Sequence, residues 1–419
     1  MKVSILTLGC RTNQAESLSI EKEAITHGHE IVPITDNPEL CIVNTCSVTS
    51  KADYQSRQLI NRAIRSKAHV IVTGCYAQLH ESVLPQSPFL TVLSNKNKGL
   101  ISNYLSKSLD NPVSSLFTRL SKARPIIKVQ EGCNNDCTYC SIPLARGRAQ
   151  SIPLKTIIRE ILDYENRGFN EVVLTGTNIG QYGLELSPQR SFVWLLGEIL
   201  DKTTIKRIRI SSIEVNYIDE DFIELLNLNR LCKHLHIPLQ SGDNKVLEAM
   251  KRPYLREDFM EKVLHIKRLY PDISIGSDIM VGFPCEGINQ FASTVEVIEA
   301  TPLSYFHVFV YSQRGNTPAA QMPLEANFKE IKERSEVLIG LSKRKRQAFI
   351  GSQIGKPNEM IIENKTVRGL EGTTSNYIKV LVPPIVSVTE KDLLAIRLTG
   401  FKDDEVYAEP VLKEQVSKK

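Results

Sequence analysis

Cys133, Cys137 and Cys140 stand in the run Val129-Gln130-Glu131-Gly132-Cys133-Asn134-Asn135-Asp136-Cys137-Thr138-Tyr139-Cys140, a C-x3-C-x2-C spacing on one tight loop. Three thiolates there can hold a soft metal, but a structural zinc wants four ligands, and no nearby Cys or His completes the set. A four-iron cluster held by three cysteines instead leaves one iron open to an exogenous ligand. The loop is therefore expected to carry such a [4Fe-4S] cluster, with the aromatic Tyr139 just before its last thiolate. A second trio is spread over the first hundred residues. Cys10, Cys46 and Cys75 each follow a short apolar or β-branched run, Val3–Leu8, Leu40–Asn44 and His69–Thr73, behind a small residue. Three equivalent strand ends that each deliver a thiol point to one shared metal or cluster site. The competing reading is three buried structural cysteines. Cys41 stands at a strand's beginning and Cys232 in a Leu-rich context, and both read as core.

The chain that must position these thiols has 419 residues, enough for two to four domains. With 42% hydrophobic and 24% charged residues it can bury real cores, which excludes a largely disordered or collagen-like chain. No apolar stretch approaches the ~18 residues that span a bilayer. Met1–Cys10 lacks a basic leader region beyond Lys2, so it reads as the first strand of a cytoplasmic protein. A net charge of +5 permits a nucleic-acid partner without arguing for one. Nine cysteines, an odd number without an export signal, favour metal binding or catalysis over a disulfide framework.

Helical stretches, Asn13–His27 and Asp53–Ser66, separate the first three strand runs, which suits βαβ units with parallel strands. Their C-terminal ends then share one edge, where Cys10, Cys46 and Cys75 converge with Arg11 and Asn13 beside them. From Ile126 onward six strands alternate with helices: Ile126–Val129, Glu171–Leu174, Arg207–Ile210, His234–Ile237, Ser274–Val281 and Phe306–Val310. Polar residues cluster just past each, as in an open six-strand relative of the (β/α)8 barrel. Lys329–Phe349 reads as a charged helix ending in Lys343-Arg344-Lys345-Arg346. Beyond Ser352, the runs Met360–Ile362, Tyr377–Val382, Leu394–Leu398 and Glu405–Glu409, punctuated by glycines, read as a small antiparallel β-barrel. The expected class is thus α/β: an N-terminal open parallel sheet (1–110), a central partial (β/α)6 barrel (119–349) and a C-terminal barrel (352–416). Basic and acidic residues nearly balance in the tail, so its composition alone does not mark an RNA binder.

The sequence resembles the methylthiotransferase family, a branch of the radical S-adenosylmethionine enzymes, along almost its whole length. The resemblance is carried by Gly9-Cys10-Arg11-Thr12-Asn13-Gln14, Asn44-Thr45-Cys46, Thr73-Gly74-Cys75 and the C-x3-C-x2-C loop. It continues through Ile142-Pro143-Leu144-Ala145-Arg146-Gly147-Arg148, Leu174-Thr175-Gly176-Thr177-Asn178 and Leu235-His236-Ile237-Pro238-Leu239-Gln240-Ser241-Gly242. It implies that Cys10, Cys46 and Cys75 carry an auxiliary four-iron cluster, and that Cys133, Cys137 and Cys140 carry the cluster that binds S-adenosylmethionine. It also implies that Tyr139, Gly176, Asn178, Ser212, Glu214, His236 and Gln240 approach the cofactor, and that the tail is a TRAM-like RNA-binding barrel. One departure stands out. Where the family usually has Gly-Phe-Pro-Gly-Glu-Thr, this chain has Gly282-Phe283-Pro284-Cys285-Glu286-Gly287, so Cys285 must adopt a less permissive geometry or the turn must shift.

The activity the resemblance implies is insertion of a methylthio group at carbon 2 of an adenine base in tRNA. Cys10-Arg11-Thr12-Asn13-Gln14-Ala15-Glu16-Ser17, Phe306-His307-Val308-Phe309-Val310-Tyr311-Ser312 and Leu398-Thr399-Gly400-Phe401 are most similar to the branch that modifies N6-threonylcarbamoyladenosine (t6A) beside the anticodon. The isopentenyladenosine branch typically has Gln-Met-Asn after its first cysteine, and a third branch modifies an aspartate of a ribosomal protein. A rival from another class is a non-catalytic iron–sulfur protein that binds tRNA and leaves S-adenosylmethionine uncleaved. The implied partners are tRNA and an electron donor such as a flavodoxin or ferredoxin. The expected protein is a cytoplasmic monomer with no membrane contact.

Overall fold

The computed structural model of the chain describes residues 1–106, 123–385 and 387–411. The boundaries expected at 110, 119 and 416 lie outside them. The N-terminal sheet holds β1 (Lys2–Thr7), β2 (Glu30–Ile31), β3 (Leu40–Thr45), β4 (His69–Gly74) and β5 (Leu90–Val92), all parallel, in the order β2-β1-β3-β4-β5. Alternation along β3 explains why. Leu40 and Ile42 pack on one face with Val3, Ile20 and Ile71, while Cys41 and Val43 pack on the other with Ile60, Val70 and Val72. A sheet buried on both faces needs continuous apolar strands, and helices α1 (Arg11–Thr26) and α2 (Ser50–Arg65) cover it. Cys41 is fully buried, as its position at the strand start implies.

The central region lines up six parallel strands: β6 (Ile126–Lys128), then, after a short β7 (Gln130–Glu131) and β8 (Gln150–Ser151) pair, β9 (Glu171–Thr175), β10 (Arg207–Ile210), β11 (His234–His236), β12 (Ser274–Val281) and β13 (Tyr305–Val310). β6-β9-β10 and β11-β12-β13 form two continuous ladders. Between β10 and β11 the pairing thins to single parallel bridges, Ile208 with Leu231 and Ser212 with His236. The row stays open, and its helix-facing side is one large apolar core that includes Ile127, Leu174, Ile208, Leu235 and Ile275.

The tail closes into a five-strand barrel of β14 (Pro357–Thr366), β15 (Gly369–Thr374), β16 (Lys379–Val382), β17 (Leu393–Lys402) and β18 (Glu405–Pro410). Its pairings are antiparallel except for β16 with β18, which closes it in parallel through Leu381 and Tyr407. Sequence reading finds four of these strands. β15, Gly-Leu-Glu-Gly-Thr-Thr, escapes because its glycines read as loop. The helix before the barrel extends from Phe328 to Gln353, so the bases Lys343–Arg346 lie inside it and cap nothing. Lys345 donates to the Thr301 carbonyl at 2.8 Å, and Lys343 faces Asp404. No helix among the described residues is long and apolar enough to cross a membrane.

An ionic layer joins the tail to the central strands. Arg207 and Arg209 on β10 both bind Glu171 of β9 at 2.7 Å, and all three side chains are at most 2% exposed. Further donors of the two guanidinium groups reach the carbonyls of Glu359, Thr374 and Ser375 in the tail barrel. Buried charges survive only when paired and hydrogen-bonded, and here each barrel completes the other's set.

Candidate active site

Gly9 and Gly74 precede two of the strand-end cysteines and have φ of +110° and +98°. A Cβ on Gly9 would lie 2.6 Å from the Cys46 Cβ, and one on Gly74 would lie 2.3 Å from the Thr45 carbonyl. Only glycine fits, and the resulting sharp turns bring the three strand ends together. Cys10 is the N-cap of α1, and Cys75 opens the next helix, Cys75–Leu79. Asn13 is fully buried beneath them and does not line the mouth as expected. Its amide donates to the Leu8 carbonyl at 2.7 Å and the Thr45 carbonyl at 2.9 Å, stapling the ends of β1 and β3. The Cys46 loop is pinned from the central region: Arg314 pairs with Asp53 and donates to the Ser47 carbonyl at 2.7 Å.

The Cys133–Cys140 loop has no regular structure, and side chains hold its shape. The Gln181 amide accepts from the Asn134 N–H and donates to Asn135, both at 2.8 Å, and Asn134 accepts from the Ala149 N–H at 3.0 Å. The thiols are already provided with donors. Asn178 Nδ2 lies 3.7 Å from Cys133 Sγ, Arg252 Nη1 lies 3.4 Å from Cys137 Sγ, and the Ile142 N–H lies 3.5 Å from Cys140 Sγ. Such donors favour sulfur that carries negative charge.

Among the described residues, His236, Asp278 and His307 are the group of three metal-binding side chains whose ligand atoms all lie within 4.8 Å of one another. Neither cysteine trio closes so far. Thiolates on one zinc ion would stand ~3.8 Å apart. Each trio thus has at least one pair of thiols wider apart than the ligands of a single ion, a spacing compatible with an iron–sulfur cluster. Burial pushes the Cys46 thiol up to about 11 and the Cys140 thiol up to about 12. Burial raises Cys75 as well, against the pull of Arg146. Metal binding here must release protons, helped by the cations nearby.

Arg146 is the leading cation acting on Cys75, and sequence reading left it in a motif without a role. Its side chain is 1% exposed and binds Glu16 and Glu131, each at 2.8 Å, and Asn13. Burial works against charge on Glu16, yet Lys98, Arg146 and Lys128 hold its carboxyl well below the usual range. Arg146 ends the helix Ile142–Arg146 that follows Cys140, and it acts on Cys75. One guanidinium thus ties the two cysteine trios together.

Two adjoining cavities each reach one cysteine of a different trio. One of about 210 Å³ takes in Tyr139, Cys140, Gln240 and Asp278, and one of about 370 Å³ takes in Cys10, Arg11, Gly176, Ser212, His236 and Asp278. Val48 and Ile142 line both. The seven residues expected near the cofactor therefore divide. Tyr139 and Gln240 sit by Cys140, while Asn178 and Glu214 flank Cys133 and Cys137. Gly176, Ser212 and His236 face the chamber of Cys10. Asn178 takes its backbone partner from Gln130 at 2.9 Å and keeps a buried Oδ1 without one. Glu214 is paired with Arg252 and Asn135 at 2.9 Å each, and His236 Nε2 with Asp278 at 3.0 Å. Arg252, Gln130, Asp278 and Tyr377 also shape the site; they lie far apart in sequence, so no local motif marks them.

Residues 2–93 match the uncharacterized protein family UPF0004, and residues 127–298 match the Radical SAM superfamily. The chain is 36% identical to the threonylcarbamoyladenosine tRNA methylthiotransferase MtaB of Aquifex aeolicus, over 91% of this chain and 96% of the relative. It is 34% identical to the protein of the same name from Bacillus subtilis, over 90% of each. Among solved structures, the radical S-adenosylmethionine methyltransferase TsrM of Kitasatospora setae shares the fold. Its TM-score is 0.56, at 15% identity, with 76% of this chain and 75% of that one covered. Two cysteine trios that each place one member on adjoining cavities, and similarity to such relatives over nine-tenths of the chain, lead to one assignment: the chain belongs to the methylthiotransferase family of radical S-adenosylmethionine enzymes.

Proposed function

We propose that this protein is a tRNA methylthiotransferase that acts at carbon 2 of N6-threonylcarbamoyladenosine next to the anticodon. The observation that carries the reading is one cysteine of each trio, Cys140 and Cys10, on adjoining cavities, in a chain similar over nine-tenths of its length to relatives named for that nucleoside. We assign Cys133, Cys137 and Cys140 to the cluster that binds S-adenosylmethionine and Cys10, Cys46 and Cys75 to the auxiliary one. When bound, these groups supply a radical that activates a carbon–hydrogen bond and the sulfur and methyl that replace the hydrogen.

The chain's own residues orient and insulate that chemistry. Arg252 balances the thiolate charge of Cys137, and Arg146 that of Cys75. Asn178 offers its free amide oxygen beside Cys133, where a bound amino group can donate to it. Gly176 leaves room against Gln130, whose side-chain oxygen would lie 2.9 Å from any Cβ there. The adenine enters between the trios, in the chamber walled by Ser212 and His236. A ferredoxin or flavodoxin class donor and a monomeric, cytoplasmic enzyme complete the proposal. Mass spectrometry of tRNA nucleosides from a deletion strain tests it: methylthiolated t6A should vanish and return on complementation. Loss of methylthiolated isopentenyladenosine instead would move the enzyme to the other branch. Uncoupled binding, with no cleavage of S-adenosylmethionine under reducing conditions, would favour the non-catalytic reading.

A further inference from the structure

We propose that Arg11 binds the carboxylate of the threonylcarbamoyl group, with Tyr377 of the tail barrel holding its guanidinium in place. The inference rests on the t6A reading and adds to it the residues that recognise the substituent. Arg11 directly follows Cys10, is half-buried and lines the 370 Å³ chamber. Its hydrogen bond among the described residues is to the Tyr377 hydroxyl, at 3.1 Å, and it joins no ion pair. A phenol satisfies one of five guanidinium donors. The other charges in the chamber are spoken for. Arg146 is bound to Glu16, Glu131 and Asn13, and Asp278 to His236. Among the described residues Arg11 is thus the chamber's cation with no ion-pair partner, and an anion is its complement.

The wall is also equipped for a polar group. Thr177 Oγ1, Ser211 Oγ and His234 Nδ1 are buried there without partners, which is costly unless a ligand supplies them. Substrate chemistry fits the placement. Carbon 2 and the N6 substituent flank N1 on one edge of adenine, so a group on N6 stays close to the reacting carbon. A residue adjacent to Cys10 can therefore reach it while sulfur is delivered from the same side. The carboxylate is the one formal charge on that base, and guanidinium binds carboxylate in a two-pronged fork. Tyr377 is rigidly set for its part. It has φ of +66°, its ring stacks on His234 at 4.2 Å, and Arg209 lies 5.3 Å from the ring centre. The tail barrel thus contributes to the specificity pocket as well as to any contact with RNA.

The test uses the reconstituted enzyme and anticodon stem-loops bearing t6A, its threonine carboxamide, or unmodified adenosine. Wild type should bind the acid about tenfold or more tighter than the amide, as expected for a charge-assisted pair. Arg11→Gln should bind acid and amide alike, with any general loss of RNA affinity falling equally on acid, amide and unmodified loop. Arg11→Lys should restore part of the preference, and Tyr377→Phe should lose a lesser part, because the guanidinium is then free to swing. An acid-over-amide preference that survives Arg11→Gln overturns the inference, as does a wild type that prefers t6A but treats acid and amide equally. A wild type that does not distinguish t6A from unmodified adenosine overturns the substrate reading itself.

Discussion

Replacing Arg146 by Met should loosen the N-terminal sheet edge and empty its cysteine trio while leaving the other trio loaded. The change keeps the aliphatic stem and deletes a charge whose side chain is 1% exposed, facing a Glu16 side chain that is 3% exposed. Breaking a buried ion pair with no substitute costs ~3–5 kcal/mol. Lys98 and Lys128 stay on Glu16, which brings this term to about 2 kcal/mol. Asn13 loses the donor to its Oδ1, worth about 1 kcal/mol more. The expected total is ~3 kcal/mol. Global unfolding of so modular a chain is not two-state, so the assay is local: amide hydrogen exchange along α1. It is best run in a background lacking Cys10, Cys46 and Cys75, where metal occupancy does not enter. Exchange there should quicken about 100-fold. In a Glu16→Gln background the same change should cost about 1 kcal/mol, which isolates the pair. Acceleration below about threefold there, together with iron retained at the intact trio of the Arg146→Met enzyme, would refute the idea that this guanidinium ties the two sites together.

Replacing Cys10, Cys46 and Cys75 with Ala should halve the iron of the reconstituted enzyme and abolish methylthiolation, yet preserve reductive cleavage of S-adenosylmethionine. The Cys133, Cys137 and Cys140 replacement should lose cleavage, and full iron in either protein would sink the partition. Cys285→Gly should raise local stability by about 0.5 kcal/mol, read as slowed amide hydrogen exchange around residues 282–287. The exposed Cys285 sits at φ of +71°, where a Cβ is strained, although glycine's added freedom in the unfolded chain takes back part of the gain. Burial pushes Glu160 up to about 7, so the folded chain retains a proton that the unfolded one gives up. Stability should therefore fall from about pH 4.5 to pH 7. Glu160→Gln should gain ~1 kcal/mol at pH 8 and nothing at pH 4.5, after allowance for partial exposure. A Glu160→Gln gain that is equal at both pH values would contradict that assignment.

The tail must be probed by point changes. Deleting 352–419 would strip the Glu359, Thr374 and Ser375 carbonyls from Arg207 and Arg209, uncovering the buried ionic layer and leaving those donors without protein partners, and would remove Tyr377 from the chamber. The bases Lys343–Arg346 are a poorer RNA probe than their run implies, since Lys345 is tied to Thr301 and Lys343 to Asp404.

The sequence by itself settled what depends on local spacing and periodicity. Thiols at C-x3-C-x2-C must share a loop, and β-branched runs ending in a small residue and Cys must be strands that deliver a thiol. Even the strain at Cys285 could be expected, because Cys stands where the resembled family usually has a turn glycine. Tertiary structure alone decided which distant groups complete the site. Asn13 looks like a mouth residue one turn from Cys10, but two strand-end carbonyls need donors, and it turns inward to supply them. Arg146, Arg252 and Tyr377 each lie more than a hundred residues from groups they serve, Asn13, Cys137 and Arg11 respectively. Local pattern cannot register them, because a buried charge is placed by the one partner that can neutralise it, wherever the chain brings that partner.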